Sequence, residues 1–383
     1  MSSALRPLAR PLIWPLLVAV LASAMWFGIR SKRATLVDFE VYRKAAARAL
    51  DQEPLYRPED GHYQFKYWPL FAVAMAPFAL PTRAIASVLW YALSVALLYL
   101  FMRQSLRLLP DRRVRGAWLV LLVVLCTGKF WVKELTFGQT NVLLAVVLTG
   151  ALAAAERGRW RVAGVLIGVA TFVKPYALLL FPWLAVVGGL ESAAIASGVV
   201  VAGLIAPAIT YGWSANLTEI AGWYRTVSDT TAPNLLDAEN ISFATMWAKW
   251  LGPGAMASRL ALATDVAALG LFASAFALRR RASRPLYLEF GLLMLLVPML
   301  SPQGWDYVLL IAAPAFFLLF DRWLSVSVAW RVATVVAIFL VSFTIFDVLG
   351  RAAYVRSMQL SVVTLGGALL ALCLTHLRWR SLA

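Results

Sequence analysis

A chain of 383 residues that is 62% hydrophobic and 14% charged, with mean hydropathy +0.76, is too apolar for a soluble domain, where about 45–50% apolar and about 25% charged residues are usual. The net charge of +16 sits in short arginine clusters between apolar runs, which marks cytoplasmic loops and affinity for anionic lipid headgroups rather than for nucleic acid. Cys126 and Cys373 both fall inside apolar runs, which excludes a disulfide framework.

Crossing a bilayer takes about 20 helical residues, fewer where neighbouring helices shield the ends. On that rule spans fall near 11–29, 84–102, 116–128, 141–155, 160–173, 175–190, 192–211, 258–278, 286–300, 307–320, 327–348 and 358–376. Arg6, Arg10 and Ala22-Ser23-Ala24 imitate a cleavable signal, but the apolar run continues through Met25–Ile29, so an uncleaved first helix is expected. Leu70–Leu80 lies between Pro69 and Pro81, too short to span comfortably, and is expected to dip into the outer leaflet or pack on other helices; a crossing here would flip every later assignment.

The basic clusters Arg103/Arg107/Arg112/Arg113/Arg115, Arg157/Arg159/Arg161, Arg279/Arg280/Arg281/Arg284, Arg322/Arg331 and Arg378/Arg380 put a cytoplasmic N-terminus and these short loops inside. Every non-repetitive polar stretch then faces outward: 30–67, 129–140, the Lys174-Pro175 break, 212–257, 301–306 and 349–357. The expected fold is an all-α polytopic membrane protein of about 12 spans, one domain over 1–383, with 30–67 and 212–257 as long outer loops.

Val37–Pro69 is the longest polar insert. It opens with Asp38, and Phe39–Leu50 follows with Phe39, Tyr42, Ala46 and Leu50 on one face and Arg43, Lys44, Ala47 and Arg48 toward the other. That pattern fits a helix lying in the membrane interface. Pro54, Pro58 and Gly61 break it, and Tyr63, Phe65, Tyr67 and Trp68 have the composition of a headgroup-level aromatic belt. Asp38 reads either as a solvated loop acid or as a general base.

In Lys129–Val142, Thr140 or Asn141 can cap the next span, or Gln139 and Asn141 can offer amides to a polar ligand. Lys174, between two apolar runs and just before Pro175, either snorkels or meets an anion such as phosphate. Ser301–Tyr307 is a plain turn or a binding wall of indole, amide and carboxylate from Trp305, Gln303 and Asp306. Asn240-Ile241-Ser242 has the form of a glycosylation acceptor, and Asp265 is an intramembrane acid that pairs on a neighbouring helix or serves a site. With His62 and His376 the only histidines, and no phosphate-binding glycine loop, dinucleotide fingerprint or nucleophile elbow, neither zinc nor nucleotide chemistry is indicated.

The ordered set DFEVYRKAA, PLY, FKYWPLFAVAMAPFALP, FGQTNVLLA, GVATFVKP, NISF and SPQGWDY, over about residues 35–310, resembles the family 87 glycosyltransferases. The resemblance implies a GT-C membrane fold and inverting transfer of a sugar from a polyprenyl-phosphate donor, commonly mannose, on the non-cytoplasmic face, with no metal or cofactor expected. It assigns Asp38 as the base. Where that family often carries histidine, this chain has Tyr307.

Such a transfer needs a base for the acceptor hydroxyl, cations for the departing phosphate and a surface that positions both substrates. Asp38 fits the first role, and Lys174, helped by Lys66, Arg225 or Arg351, fits the second. Gln139, Asn141, Gln303, Trp305 and Asp306 are candidates for the sugar pocket, with Glu40, Tyr42, Tyr67, Asn240 and Tyr307 completing the substrate-binding set. The expected partners are a polyprenyl-phosphate-linked sugar and a lipid or glycan acceptor. A lipid or sugar transporter and a non-catalytic membrane scaffold are the competing readings.

Overall fold

The computed structural model describes residues 36–380; the expected first span at 11–29 and the signal-like N-terminus lie outside the described residues. Among the described residues the protein is helical throughout, with one isolated antiparallel bridge, Asn240 to Trp305. The helices of nine residues or more are α1 (Val37–Leu50), α2 (Arg83–Leu108), α3 (Gly116–Phe137), α4 (Asn141–Ala155), α5 (Trp160–Val173), α6 (Phe181–Ile205) and α7 (Trp213–Leu235). They continue as α8 (Phe243–Leu251), α9 (Ala255–Ala277), α10 (Leu286–Leu300), α11 (Ala313–Asp321), α12 (Val328–Ser342), α13 (Arg351–Gln359) and α14 (Val362–Trp379).

Among the described residues, five helical stretches are long and apolar enough to cross a membrane: Arg83–Leu108, Gly116–Phe137, Pro175–Tyr211, Ala255–Ala277 and Val362–Trp379. The apolar helices α4, α5, α10 and α12 are shorter. Several expected boundaries move. The span expected to stop at 128 runs on as α3 to Phe137, because its polar residues find partners: Lys129 Nζ donates to the Thr344 carbonyl at 3.3 Å and Glu134 caps α4. The expected break between 190 and 192 falls at Gly189 (φ 82°, ψ 163°), the non-helical residue at which two helices join within α6. Residues 212–257, expected as a long outer loop, are mostly helical, as α7 and α8, and the span expected over 307–320 opens as a 3-10 turn, Asp306–Ala312, before α11.

The described residues divide into two compact units, one of residues 36–101 and 133–232, the other of 102–132 and 233–380. In the first, α1 buries Phe39, Tyr42, Ala45, Ala46 and Ala49 against Phe71, Ala72, Met75 and Trp90. Phe39 stacks on Trp90 with centroids 5.2 Å apart. The inward face is therefore wider than Phe39, Tyr42, Ala46 and Leu50, and Leu50 itself is exposed while Ala49 takes its place. The 70–80 stretch forms two short helices, Pro69–Ala74 and Ala76–Ala79, that pack on α1. Of the expected aromatic belt only Tyr63 is exposed; Phe65 is buried and Trp68 stacks on Trp223 at 3.5 Å. Aromatic rings with protein partners gain more from packing than from a headgroup layer.

In the second unit α10 is the centre, buried along nearly its whole length. Two arginines expected in inner loops are buried and paired. Arg322 meets Asp321, whose Oδ1 also accepts the backbone N–H groups of Arg113 (2.8 Å) and Val114 (2.9 Å). Arg378 lies 3.8 Å from Glu289, which also accepts from Arg279 at 3.1 Å. Buried guanidinium groups persist only with such acceptors.

Candidate active site

The site in the first unit begins where the chain turns into α1. Leu36 adopts a left-handed conformation (φ 58°), and its N–H donates to the Thr136 carbonyl at 2.7 Å. Facing it is the turn between α3 and α4, where Gly138 holds φ 71° and its carbonyl accepts from Trp90 Nε1 at 3.0 Å. A Cβ on Gly138 would lie 2.7 Å from the Cβ of Phe39, so glycine permits both the turn and the approach of α1. The consequence is a short bond across the two segments: Gln139 Nε2 donates to Asp38 Oδ2 at 2.6 Å.

From Gln139 a chain of hydroxyls leads inward. Tyr42 OH donates to Gln139 Oε1 at 3.3 Å, meets Tyr67 OH at 2.8 Å, and Tyr67 OH in turn meets Thr140 Oγ1 at 3.2 Å. The amide of Gln139 is thereby fixed with its nitrogen toward the carboxylate. Asp38 is half-buried, and Oδ1 takes no hydrogen bond among the described residues. Burial pushes the Asp38 carboxyl above its ordinary value, while the Gln139 bond and the charges of Lys174, His62 and Lys66 pull it back.

Lys174 ends α5 in extended conformation before Pro175, as a residue preceding proline prefers. It is only 7% exposed. Its ammonium lies 5.8 Å from the ring centroid of Tyr67 and 5.7 Å from that of Tyr176. Among the described residues no hydrogen-bond acceptor or carboxylate closes on it. Burial lowers its pKa to about 8 against the opposing pull of Glu134 and Asp38. Lys66 is half-buried nearby; burial lowers it and Asp38 opposes that shift.

The cap on α4 comes from neither Thr140 nor Asn141. Thr140 is the N-cap residue but makes no side-chain capping bond, its hydroxyl being turned to Tyr67. Glu134, one turn back on α3, takes the role: Oε1 accepts from Val142 N at 2.8 Å and Oε2 from Asn141 Nδ2 at 2.7 Å. Asn141 therefore serves the turn rather than standing open to a ligand. Glu40, two residues past Asp38, points elsewhere, to Arg43 at 2.9 Å and Arg83 at 3.3 Å. Burial works to raise its pKa, but the Arg43 bond and the charges of Arg43, Arg83 and Lys44 hold it low. Arg225 is exposed on α7, its Nε on the Ala221 carbonyl at 3.4 Å.

Two supporting residues escape a sequence reading. Glu219, 8% exposed on α7, accepts Leu55 N at 3.1 Å, and Trp223 Nε1 donates to the Lys66 carbonyl at 3.1 Å while its ring stacks on Trp68. In NLTEIAGWY they read as an ordinary surface acid and a surface aromatic. Together they tie α7 to the Val37–Pro69 segment.

The remaining candidates lie in the second unit and form a cluster of their own. Ile241 N donates to the Gly304 carbonyl at 2.7 Å and Asp306 N to the Glu239 carbonyl at 2.9 Å. Gly304 is required here, since a Cβ would fall on the Pro298 carbonyl. Asn240 is 1% exposed and its Nδ2 donates to Pro302 O (2.8 Å) and Asn234 O (3.1 Å). Its buried amide brackets the loop, so the glycosylation reading fails on access. Gln303 Oε1 accepts from Asn234 at 3.3 Å. Trp305 and Tyr307 lie parallel, 3° apart with centroids at 6.4 Å, and Asp306 is buried. Arg351 is exposed at the start of α13. Asp265 sits on α9 with Oδ1 buried and unpartnered among the described residues.

Comparison with known proteins decides the family. The description "Glycosyltransferase family 87" matches residues 65–302. The chain belongs to glycosyltransferase family 87. With its apolar helices, membership makes it an integral membrane protein. It is similar, at 31% identity over 169 residues, to the polyprenol-phosphate-mannose-dependent alpha-(1-2)-phosphatidylinositol pentamannoside mannosyltransferase of Mycobacterium tuberculosis. It is likewise 30% identical over 173 residues to the protein of the same name from Mycolicibacterium smegmatis. Each match covers 42% of this chain, and 38% and 40% of those relatives respectively.

Proposed function

We propose that this family 87 chain is a hexosyltransferase that moves a sugar, mannose by analogy with the two relatives, from a polyprenyl-phosphate donor to a hydroxyl of a lipid or glycan acceptor. The observation that carries the reading is the state of two side chains in the first unit: a carboxylate held through one oxygen by Gln139, and a buried ammonium, Lys174, that no acceptor among the described residues closes on.

A sugar esterified to a lipid phosphate already has its leaving group. The acceptor oxygen attacks the anomeric carbon, its proton passes to the free Oδ1 of Asp38, and the carbon–oxygen bond to phosphate breaks from the opposite face. Inversion follows from that geometry. The electron pair stays on the phosphate, whose charge Lys174 and Lys66 oppose; a point-charge ammonium suits a phosphate whose oxygens share the load. Burial of Asp38 and its raised pKa serve a base that must take a proton near neutral pH.

The proposal extends to topology: a GT-C-type bundle of about 12 spans forming one membrane domain. Its first outer segment then lies along the interface, with the site on the extracytoplasmic side of a bacterial plasma membrane. Arg161 and Glu191, paired at 2.8 Å, agree with the 156–161 and 189–191 turns lying at one end of the first unit.

The deciding experiment is transfer from radiolabelled polyprenyl-phosphate mannose by the purified protein in lipid nanodiscs, with mycobacterial-type phosphatidylinositol mannosides as acceptors. Labelled glycolipid supports the reading. Movement of the donor across proteoliposomes without product would place the chain with the transporters, and neither outcome would leave a scaffold.

A further inference from the structure

One recess of the first unit plays no part in the transfer chemistry. It is a cavity of about 540 Å³ lined by Arg48 of α1 and by residues of the 54–60 segment. Pro54, Tyr56 and Pro58 offer rings to it. The other lining groups are charged and balance to zero, Arg48 and Arg57 against Glu59 and Asp60.

The walls are fixed by the protein itself. Arg48 holds Asp60 through two bonds, at 2.5 and 2.8 Å, and reaches the Leu55 carbonyl at 3.4 Å. The Arg48 bond keeps the Asp60 carboxyl below its ordinary value against burial, so the pair stays charged. Arg57 Nε donates to the Pro54 carbonyl at 3.1 Å and Nη2 to Glu53 at 2.6 Å. Glu219 of α7 accepts Leu55 N at 3.1 Å, and Tyr56 OH donates to the Tyr67 carbonyl at 2.6 Å. The helix α7 also presses on the Tyr56 ring, since a Cβ on Gly222 would come within 2.9 Å of it. A recess built this way loses little freedom when a ligand enters.

The lining selects a chemical class. Phosphate or a metal cation calls for an excess of opposite charge, and here the charges cancel. Aromatic and proline rings suit the C–H face of a sugar, while carboxylates accept from hydroxyls and guanidinium groups donate to them. Spare capacity is present. Each Asp60 oxygen accepts one Arg48 bond and keeps a second lone pair. Glu59 is exposed and makes no hydrogen bond or ion pair among the described residues.

The distance to the base is set by α1, which carries both Asp38 and Arg48. At about 1.5 Å per residue, the step from position 38 to position 48 spans about 15 Å. At about 3.6 residues per turn, the same step brings the two positions within about a quarter turn of each other. A short run of sugar rings bridges such a gap.

We propose that this cavity is an acceptor subsite that binds an uncharged sugar ring, remote from the ring whose hydroxyl Asp38 deprotonates. The proposal rests on the hexosyltransferase reading and makes the preferred acceptor a glycan chain rather than a single sugar or a bare lipid.

The test compares two acceptors in nanodiscs, octyl α-mannoside and the octyl glycoside of a mannose trisaccharide, with polyprenyl-phosphate mannose as donor. The wild type should favour the longer acceptor in kcat/KM. Glu59→Ala and Arg57→Ala should each cut that preference at least about threefold, the size of one lost hydrogen bond, and the double variant should abolish it. Saturation-transfer NMR with free mannotriose reads the cavity without turnover, and its signals should weaken in E59A/R57A. Should R57A fail to fold, E59A carries the test alone, because the Glu59 side chain holds no wall in place. Turnover of free mannotriose beside that of the octyl trioside tells a free glycan from a lipid-borne one, and either supports the subsite.

Equal use of both acceptors by the wild type, or a preference untouched by E59A/R57A, overturns the subsite and leaves the transferase reading intact. Equal losses for both acceptors with a lower melting temperature also overturn it, as the mark of a merely structural role. Absent transfer, with mannotriose bound by the wild type and released by E59A/R57A, removes the transferase reading while the carbohydrate site stands. Absence of mannotriose binding together with absent transfer removes both.

Discussion

Gln139 donates its amide nitrogen to Asp38 Oδ2 at 2.6 Å across 101 residues of sequence, and this bond distinguishes the two carboxylates at the start of α1. Asp38 faces the Gln139 turn, whereas Glu40 turns to Arg43 and Arg83. Along a helix, residues two apart point to nearly opposite sides.

Asp38→Asn keeps the size of the side chain and removes its ability to accept a proton. The variant should insert, fold and bind donor, with kcat lower by roughly 10²–10⁴, the usual contribution of a general base. Glu40→Gln gives up only a half-exposed ion pair, worth about 0–1 kcal/mol, and should leave kcat within a few-fold. Side-by-side kinetics of the two variants check this; equal losses would show that Asp38 has no special role.

Lys174→Ala should raise donor KM by at least about 10-fold, equivalent to about 1.4 kcal/mol, the low end for one charge-assisted contact to phosphate. Lys174→Arg should recover part of that, because a planar fork cannot sit as a compact charge between the Tyr67 and Tyr176 rings. Donor titration with both variants in nanodiscs gives the numbers, and an unchanged KM in K174A means the lysine has no phosphate to hold.

Gly138→Ala should cost stability and activity together. The residue sits at φ 71°, and the added methyl meets Phe39 Cβ at 2.7 Å and Leu36 at 2.9 Å. Left-handed backbone alone costs about 1–2 kcal/mol for an alanine, and the contact forces α1 away from the turn. We expect a lower melting temperature in detergent and a kcat loss that Gly61→Ala does not share, since Gly61, also at positive φ (59°), has open space around it.

How much of this was legible in the sequence follows from the range of each interaction. Apolar run length and arginine clusters gave the helical membrane class because bilayer crossing is a local property. Asp38, Gln139, Tyr42, Tyr67 and Lys174 were named, and in the first unit hydrogen bonds run from Asp38 through Gln139 and Tyr42 to Tyr67, whose ring lies 5.8 Å from the Lys174 ammonium. What the sequence could not show is satisfaction at a distance. Glu134 looked like the polar edge of a loop until its partners seven and eight residues on were visible. Arg378 looked like a topology marker until Glu289 was found beside it. Arg225, named as a helper for the phosphate, stands exposed on α7 with its Nε on the Ala221 carbonyl.

The pH dependence of turnover offers the sharpest check on Asp38, because its sign can be worked out. Burial raises the Asp38 pKa, and the Gln139 bond with Lys174, His62 and Lys66 oppose that rise. A base works in its ionised form, so kcat/KM should climb with pH through a midpoint above the ordinary carboxylate value of about 3.9. Replacing Gln139 by Met keeps the bulk and deletes the donor to Oδ2, so the midpoint should move to still higher pH. Lys174→Ala, which removes a positive charge, should move it the same way, and Glu40→Gln should leave it in place. Stability must run in the opposite sense. A carboxyl whose folded pKa is raised favours the fold while protonated, and that contribution is lost as pH rises through the folded value. Asp38→Asn should therefore melt at or above the wild-type temperature at neutral pH, with the difference closing toward about pH 4. An acid limb that shifts downward in Gln139→Met, or a D38N protein that is less stable than wild type only at neutral pH, would contradict the assignment of Asp38 as a buried, ionised base.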